Sequence, residues 1–285
     1  MLPDGYEIGA MTRTEADVLA EWAAAEQWNP GLADISVAYA YDPGAFIALR
    51  KADELVGGGS ILAYGRAAGF MGLFILRPDH RRQGLGAALW HERLRLLRAR
   101  LAPNAPIGMD GVYDMAPFYA RGGFRLLYRD VRYQGVVSAT LHPDTVPLSQ
   151  VPFDSVDAYD RPVFGTARTA FLQAWLAQPG GAGVAVLRDG TLQGYGFLRP
   201  CRQGYKLGPV FADDSAVADA LLQSLFAYAD GQQVQLDVPE PHAAAVALAE
   251  RYGLQPAFAC ARMVHGDPLR VAPGKIFGVT SFEFG

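Results

Sequence analysis

The chain has 285 residues, of which 51% are hydrophobic and 19% charged. That length suits two domains of ordinary size, and that much apolar material rules out wholesale disorder. Twenty-five Lys and Arg stand against 29 Asp and Glu, a net charge of −4, so the basic excess of a general nucleic-acid coat is missing and no nucleic-acid partner is expected.

Met1-Leu2-Pro3-Asp4-Gly5 opens the chain without the basic start and apolar stretch of a secretory signal. Nowhere do roughly 18 apolar residues follow one another, so no membrane span is expected and the expected compartment is the cytoplasm. Tyr6 to Ala10 reads as a strand, and Thr14 to Glu26 as a helix capped by Thr14. Ala45 to Lys51 and Leu55 to Tyr64 read as strands around the turn Ala52-Asp53-Glu54. Gly69 to Leu76 is almost wholly apolar, as a strand buried on both faces should be. After a polar, glycine-containing loop comes a long helix. Its Trp90, Leu94, Leu97 and Leu101 form a packing stripe, with Arg93, Arg95 and Arg98 expected to face water. Pro106 to Gly111 is a strand, Met115 to Gly122 a short helix and Phe124 to Gln134 a last strand. Pro143, Pro147 and Pro152 then mark a linker over 139–154.

The second half follows the same order. Arg161 to Leu176 is predicted helical, and Gly183 to Leu187 with Leu192 to Leu198 flank Asp189-Gly190, a strong hairpin signal. Tyr205 to Phe211 is a strand, Ser215 to Ala229 a helix, Val234 to Val238 a strand, His242 to Tyr252 a helix and Ala257 to Val264 a strand. An apolar tail runs from Ile276 to Phe284. Gly69-Phe70 precedes Leu76 by the same interval as Gly204-Tyr205 precedes Phe211, and the run from Phe118 to Phe124 lines up with Leu248 to Leu254. One fold present twice is the expectation: residues 1–138 and 155–285 as tandem α/β (α+β) domains.

The sharpest local feature is Arg81-Arg82-Gln83-Gly84-Leu85-Gly86-Ala87-Ala88, between a buried strand and an amphipathic helix. Glycines there let the backbone approach a ligand closely, and the helix behind adds unpaired N–H groups and the positive end of its dipole. Such a nest suits a pyrophosphate, with Arg81 and Arg82 adding charge-assisted contacts. A dinucleotide fingerprint needs a third glycine where Leu89 stands, and the Gly-Lys-Ser/Thr of an ATP-type loop is absent. A plain helix start with surface arginines is the bland alternative.

Arg81-x-x-Gly84-x-Gly86 after Leu73-Phe74-Ile75-Leu76, with Phe118-Tyr119-Ala120-Arg121-Gly122-Gly123-Phe124 later, resembles the GCN5-related N-acetyltransferases over about residues 1–135. Tyr159-Asp160-Arg161, Gly204-Tyr205-Lys206, Leu236-Asp237-Val238-Pro239, the ending Gly278-Val279-Thr280-Ser281-Phe282-Glu283, and also Trp28-Asn29-Pro30-Gly31, resemble a tandem bacterial subgroup of that family. The resemblance implies two domains, each a mixed, mostly antiparallel sheet flanked by helices. It implies acetyl-CoA as acyl donor, with Arg81, Arg82, Gln83, Gly84, Leu85, Gly86 and Ala87 around its pyrophosphate. The backbone of Phe74, Ile75 and Leu76 would pair with the pantetheine arm, an N–H there polarising the thioester carbonyl. Tyr119 falls where the family commonly has the acid that protonates the departing thiolate, and a phenol suits that task. Where the family often has Asn, seven residues before this Tyr, Val112 stands here.

The expected reaction is acyl transfer to a primary amine of a small molecule or peptide, by direct attack in a ternary complex. Alternatives are a non-catalytic acyl-CoA-binding or regulatory protein, or a transferase of another acyl group. Glu26 and Asp110 are candidates for the base and the acceptor site, and Trp28 and Asn29 for the acceptor pocket. The matching loop of the second copy, Ala212-Asp213-Asp214-Ser215-Ala216, has no glycine and two carboxylates, and Ala249 stands at the acid position. That copy is expected not to bind the coenzyme. Cys201 and Cys260 read as small buried side chains, and His80, His91, His142, His242 and His265 lack metal-ligand spacing, so no metal is expected. Oligomeric state is not legible, and a homodimer stays open.

Overall fold

Thr12, two residues before the expected cap, starts the first helix. Its hydroxyl accepts from the Glu15 amide while the Glu15 carboxylate takes the Thr12 amide, a complete capping box. The computed structural model describes residues 2–285. The first half runs β1 (Tyr6–Ala10), α1 (Arg13–Ala25), α2 (Asp34–Tyr41), β2 (Phe46–Lys51), β3 (Glu54–Tyr64), β4 (Ala68–Leu76), α3 (Leu85–Arg100), β5 (Ile107–Val112), α4 (Ala116–Arg121) and β6 (Arg125–Val136). The second runs β7 (Thr145–Pro147), α5 (Phe153–Phe164), α6 (Thr169–Leu176), β8 (Ala182–Arg188), β9 (Thr191–Pro200), β10 (Tyr205–Ala212), α7 (Ser215–Tyr228), β11 (Gln233–Pro239), α8 (Ala243–Arg251), β12 (Gln255–His265) and β13 (Ile276–Gly278).

Element order matches the sequence reading, with three differences. Helix α2 was not expected, because its eight residues carry almost no amphipathic pattern. The helix expected over Arg161 to Leu176 is two, divided at Gly165, which takes φ +94 to end α5. Residues expected as linker instead supply β7, which pairs with β8 at the edge of the second half.

All strands join one mixed sheet in the order β1-β2-β3-β4-β5-β12-β6-β11-β10-β9-β8-β7, with β13 on β10. The halves repeat one topology. The parallel pair of β4 with β5 matches β10 with β11. The last strand of each half, however, crosses over. β12 lies against β5, and β6 lies against β11, with β12 and β6 paired at the centre. The expected boundaries, 1–138 and 155–285, therefore do not enclose two closed units, because each half completes the sheet of the other.

Three ion pairs, two of them fully buried and one half-buried, seal the seam. Arg132 on β6 holds Asp237 on β11 with two hydrogen bonds of 2.7 and 2.8 Å. Arg199 on β9 does the same to Asp34 at the start of α2, and Arg262 on β12 to Asp110 on β5. Burial pushes the Asp237 carboxyl up, but Arg132, backed by Lys206 and Arg199, more than reverses this and holds it below the usual carboxylate range. A depressed carboxyl keeps its contribution at neutral pH and loses it as acid carries pH down through the depressed value.

Replacing Asp237 by Ala strands a buried guanidinium, which should cost about 3–5 kcal/mol of stability. Urea unfolding at neutral pH reads this as a large fall in midpoint. An unmoved midpoint would show that the pair does not hold the seam.

Candidate active site

A gap in the sheet opens a cavity beside the glycine-arginine loop. In β3, Gly58 pairs with Ile75 and Ser60 with Gly72, so Leu73 and Phe74 of β4 together face one residue. This is a β-bulge, and Leu73 is held at φ +52 to make it. On its other edge β4 pairs with β5 at Gly69–Ile107 and Phe70–Gly108, and not beyond. Past Phe70 the two parallel strands diverge, leaving the edge of β4 without a partner strand. The resulting cavity of about 540 Å³ is lined by Met71 to Leu76 and Met109 to Val112, the two sides of the gap. Trp90, Arg93, Phe118 and Tyr119 close it from the α3 face, and Trp28, Arg132, Phe258, Phe282 and Glu283 from the opposite face.

Arg81 and Arg82 stand at one end, and Gly86 reaches the wall beside them. Arg81 donates to the Leu76 carbonyl at 2.8 Å and to Glu26 at 2.7 Å. Arg82 and Gly84 both take positive φ, +62 and +78, and Gly84 is the N-cap of α3. It has no side chain to offer, so the first amides of α3, on Leu85, Gly86 and Ala87, receive no side-chain cap. Two exposed guanidiniums beside uncapped amides make an anion-binding corner. Gln83 is exposed and turns back to the Asp79 carbonyl, Leu85 is buried under the helix start, and Ala87 sits half-buried in its first turn.

Tyr119 is 4% exposed and its ring stacks at a tilt on Trp90, 4.9 Å between centroids. Burial pushes its phenol up to about 12, against the pull of Arg93. No hydrogen bond from another described residue acts on that hydroxyl. Arg93, expected to face water, is instead fully buried, and burial lowers its guanidinium to about 9. One terminal nitrogen donates to the carbonyls of Ser60 and Gly72, at 2.5 and 2.6 Å, while Nε and Nη1 have no partner. Room for it comes from Gly59, where a Cβ would lie 2.4 Å from the guanidinium carbon. The signal was present in the sequence: Arg93 follows Gly86 by seven residues and Trp90 by three, on the apolar stripe itself.

The expected acceptor residues separate. Glu26 lies at the cavity mouth, exposed and paired with Arg81. Trp28 lines the cavity, half-buried, with its carbonyl held by Arg132 at 2.7 Å and Lys206 at 3.2 Å. Asn29 does not line it. Its side chain bonds Cys201 and the Gln203 backbone across the seam, so it anchors the second half. Asp110 lines the cavity, but both its oxygens accept from Arg262 at 2.7 Å. Burial and the adjacent Asp130 push its carboxyl up against the pull of that guanidinium. Each of its oxygens is thus already engaged in a structural ion pair.

In the second half, the matching gap between β10 and β11 is filled. β13 pairs with β10 through Val210–Gly278 and Phe211–Ile276, and the Val279 amide donates to the Asp237 carbonyl of β11. Asp214 caps α7 by accepting from the amides of Ala216 and Val217, both at 2.9 Å. The chain's own segments thus occupy both the slot and the helix start that stay open in the first half.

A mixed sheet repeated in tandem, splayed at one bulged strand before a glycine-started helix, defines an acyltransferase-type fold. Residues 12–124 match the Acetyltransferase (GNAT) family, and residues 156–278 match an Acetyltransferase (GNAT) domain. The chain belongs to the GNAT acyltransferases as a tandem of two such domains. It is 27% identical over 274 residues to the holothin acyltransferase of Pseudoalteromonas sp. (strain SANK 73390), covering 95% of this chain and 92% of that one. A Pyrococcus horikoshii protein assigned as an acetyltransferase shares the fold with a TM-score of 0.84 at 21% identity, over 100% of this chain and 98% of its own. A tandem GNAT protein from the clavulanic acid biosynthesis pathway does so with a TM-score of 0.64 at 16% identity, over 92% and 99%.

Gly111 sets the position of Tyr119, because a Cβ there would lie 2.3 Å from a ring carbon. Gly111→Ala must therefore displace the ring, an overpacking change costing about 1–3 kcal/mol. Thermal denaturation should show a melting point lower by several degrees, whereas an unchanged melting point means the ring is not wedged there.

Proposed function

We propose that the protein transfers the acetyl group of acetyl-CoA to a primary amine of a small molecule or peptide, within a ternary complex. The observation that carries this reading is the open gap between β4 and β5. It has an uncapped, arginine-flanked helix start at one end and an unengaged phenol inside. The overall likeness to a protein named as an acyltransferase of holothin, spread over nearly the whole of both chains, supports a small-molecule acceptor.

The donor supplies an activated thioester carbonyl. Arg81, Arg82 and the amides of Leu85, Gly86 and Ala87 hold its pyrophosphate, where charge and backbone N–H groups converge. The unpartnered edge of β4 over Phe74, Ile75 and Leu76 receives the pantetheine amides as a neighbouring strand would, which fixes the thioester in the gap. Tyr119 donates its proton to the departing thiolate. Its raised value keeps the phenol protonated throughout neutral pH, and Arg93 limits the rise while stabilising anionic character nearby. The amine approaches from the side of Trp28, Phe258 and Phe282. The second half closes that side of the pocket and takes no donor of its own.

Tyr119→Phe should lower kcat about ten-fold or more while leaving the Kd for CoA nearly unchanged. Because an acid works in its protonated form, the wild-type kcat should show no descending limb from this group between pH 7 and about 10. Full activity of the Phe variant, or a fall in wild-type kcat from this phenol near pH 8, removes Tyr119 from the reaction. Competition between acetyl-CoA and longer acyl-CoAs decides the acyl group.

A further inference from the structure

Three carboxylates reach the cavity: Glu26, Asp110 and Glu283. Glu26 is exposed at the mouth and paired with Arg81, and Asp110 is spent on Arg262. Glu283 differs from both. It is 4% exposed, its Oε1 lies 3.7 Å from the Lys206 amine, and its Oε2 has no partner. A buried carboxylate oxygen left without a donor is unusual, and asks for a ligand to explain it.

The tail holds this group rigidly. The Ser281 hydroxyl accepts from the amides of Glu283 and Phe284, and the Tyr64 hydroxyl donates to the Phe284 carbonyl at 2.5 Å. The Glu283 carbonyl crosses β4 so closely that a Cβ on Gly72 would lie 2.2 Å from it. The Glu283 backbone therefore lies against β4 at Gly72, beside the bulge where the gap opens, and its side chain lines the cavity from the face opposite Tyr119 with Oε1 toward Lys206. Around it the walls are aromatic and apolar through Trp28, Leu73, Phe258 and Phe282, with the Arg132 guanidinium over the Phe282 ring already held by Asp237.

We propose that Glu283 is the acceptor's binding and proton-accepting group, and that the acceptor is an ammonium on an aromatic or similarly apolar body. This inference rests on the cavity being an acyl-CoA and amine site. Oε2 takes a hydrogen bond and then a proton from the ammonium. The freed nitrogen lone pair forms the C–N bond to the thioester carbon, the C–S bond breaks, and the thiolate takes the proton of Tyr119. As the amide forms, its nitrogen gives up a second proton to solvent. The amide, CoA thiol, a protonated Glu283, a tyrosinate and that released proton are then present; a proton passing from Glu283 to Tyr119 through solvent restores the start, and one proton is released per turnover. An ammonium in an apolar pocket needs one such counter-charge, and Glu283 is the cavity carboxylate with an oxygen to spare.

Two nearly isosteric probes test this on the full chain, 2-phenylethylamine and O-benzylhydroxylamine. The first is an ammonium at neutral pH. The second is already uncharged, and its addition product loses a proton readily to water. Glu283→Gln should lower kcat/KM for 2-phenylethylamine about 100-fold and change that for O-benzylhydroxylamine less than about three-fold, with the Kd for acetyl-CoA unmoved. Glu283→Asp, which keeps the charge and withdraws it by one methylene, gives the same split should the Gln variant not fold. Equal loss for both probes, no loss for either, or wild-type protein that binds acetyl-CoA and acetylates neither probe overturns the proposal. Wild-type protein that fails to bind acetyl-CoA overturns the reading of the cavity itself, and this inference with it.

Discussion

The site depends on one parallel strand pair that does not stay paired. After Phe70 and Gly108, β4 leaves β5, and the bulge at Leu73 turns its edge into the gap. An unpaired strand edge in the middle of a sheet carries backbone donors and acceptors that need partners. The second half shows one way to satisfy such an edge, with β13 laid into the matching gap. In the first half the gap remains open and opens onto a helix start without a cap. The same topology is thus closed by its own chain in one copy and left open in the other.

An open gap weakens a sheet, and the rest of the molecule is arranged around that weakness. β5 has only two paired positions with β4, so its main support comes from β12 of the other half, paired from Val112 to Ile107. Arg262 on β12 ties Asp110 beside the gap, and Arg132 on the exchanged β6 ties both Asp237 and the Trp28 carbonyl. The walls of the cavity are therefore set by strands and tail segments from both copies. The second copy, whose own slot is filled, supplies Phe258, Phe282 and Glu283 to the cavity of the first.

Much of the fold was legible because hydrophobic periodicity and turn chemistry act locally. The strands around Asp189-Gly190 and the glycine-arginine loop before α3 fall where their residues put them. The exchange of β6 and β12 was not legible, since either strand has the same alternation whichever sheet it joins. Arg93 was misjudged because a charged residue was assigned to water although its spacing placed it on the buried stripe opposite Gly59. Asn29 looked like a pocket residue beside Trp28, but its positive φ turns the chain there and sends its amide across the seam. Glu283 gave one hint, a lone carboxylate in an apolar tail, and its meaning appears only when the tail is seen crossing β4 at Gly72.

The open slot of the first half can be tested directly by hydrogen exchange with and without CoA. Slowed exchange at the amides of residues 73–76 and 84–88, with none gained at 205–217, is the result expected if one copy is open and the other is sealed by β13 and Asp214. Protection appearing at both loops, or at neither while CoA is bound, would contradict it.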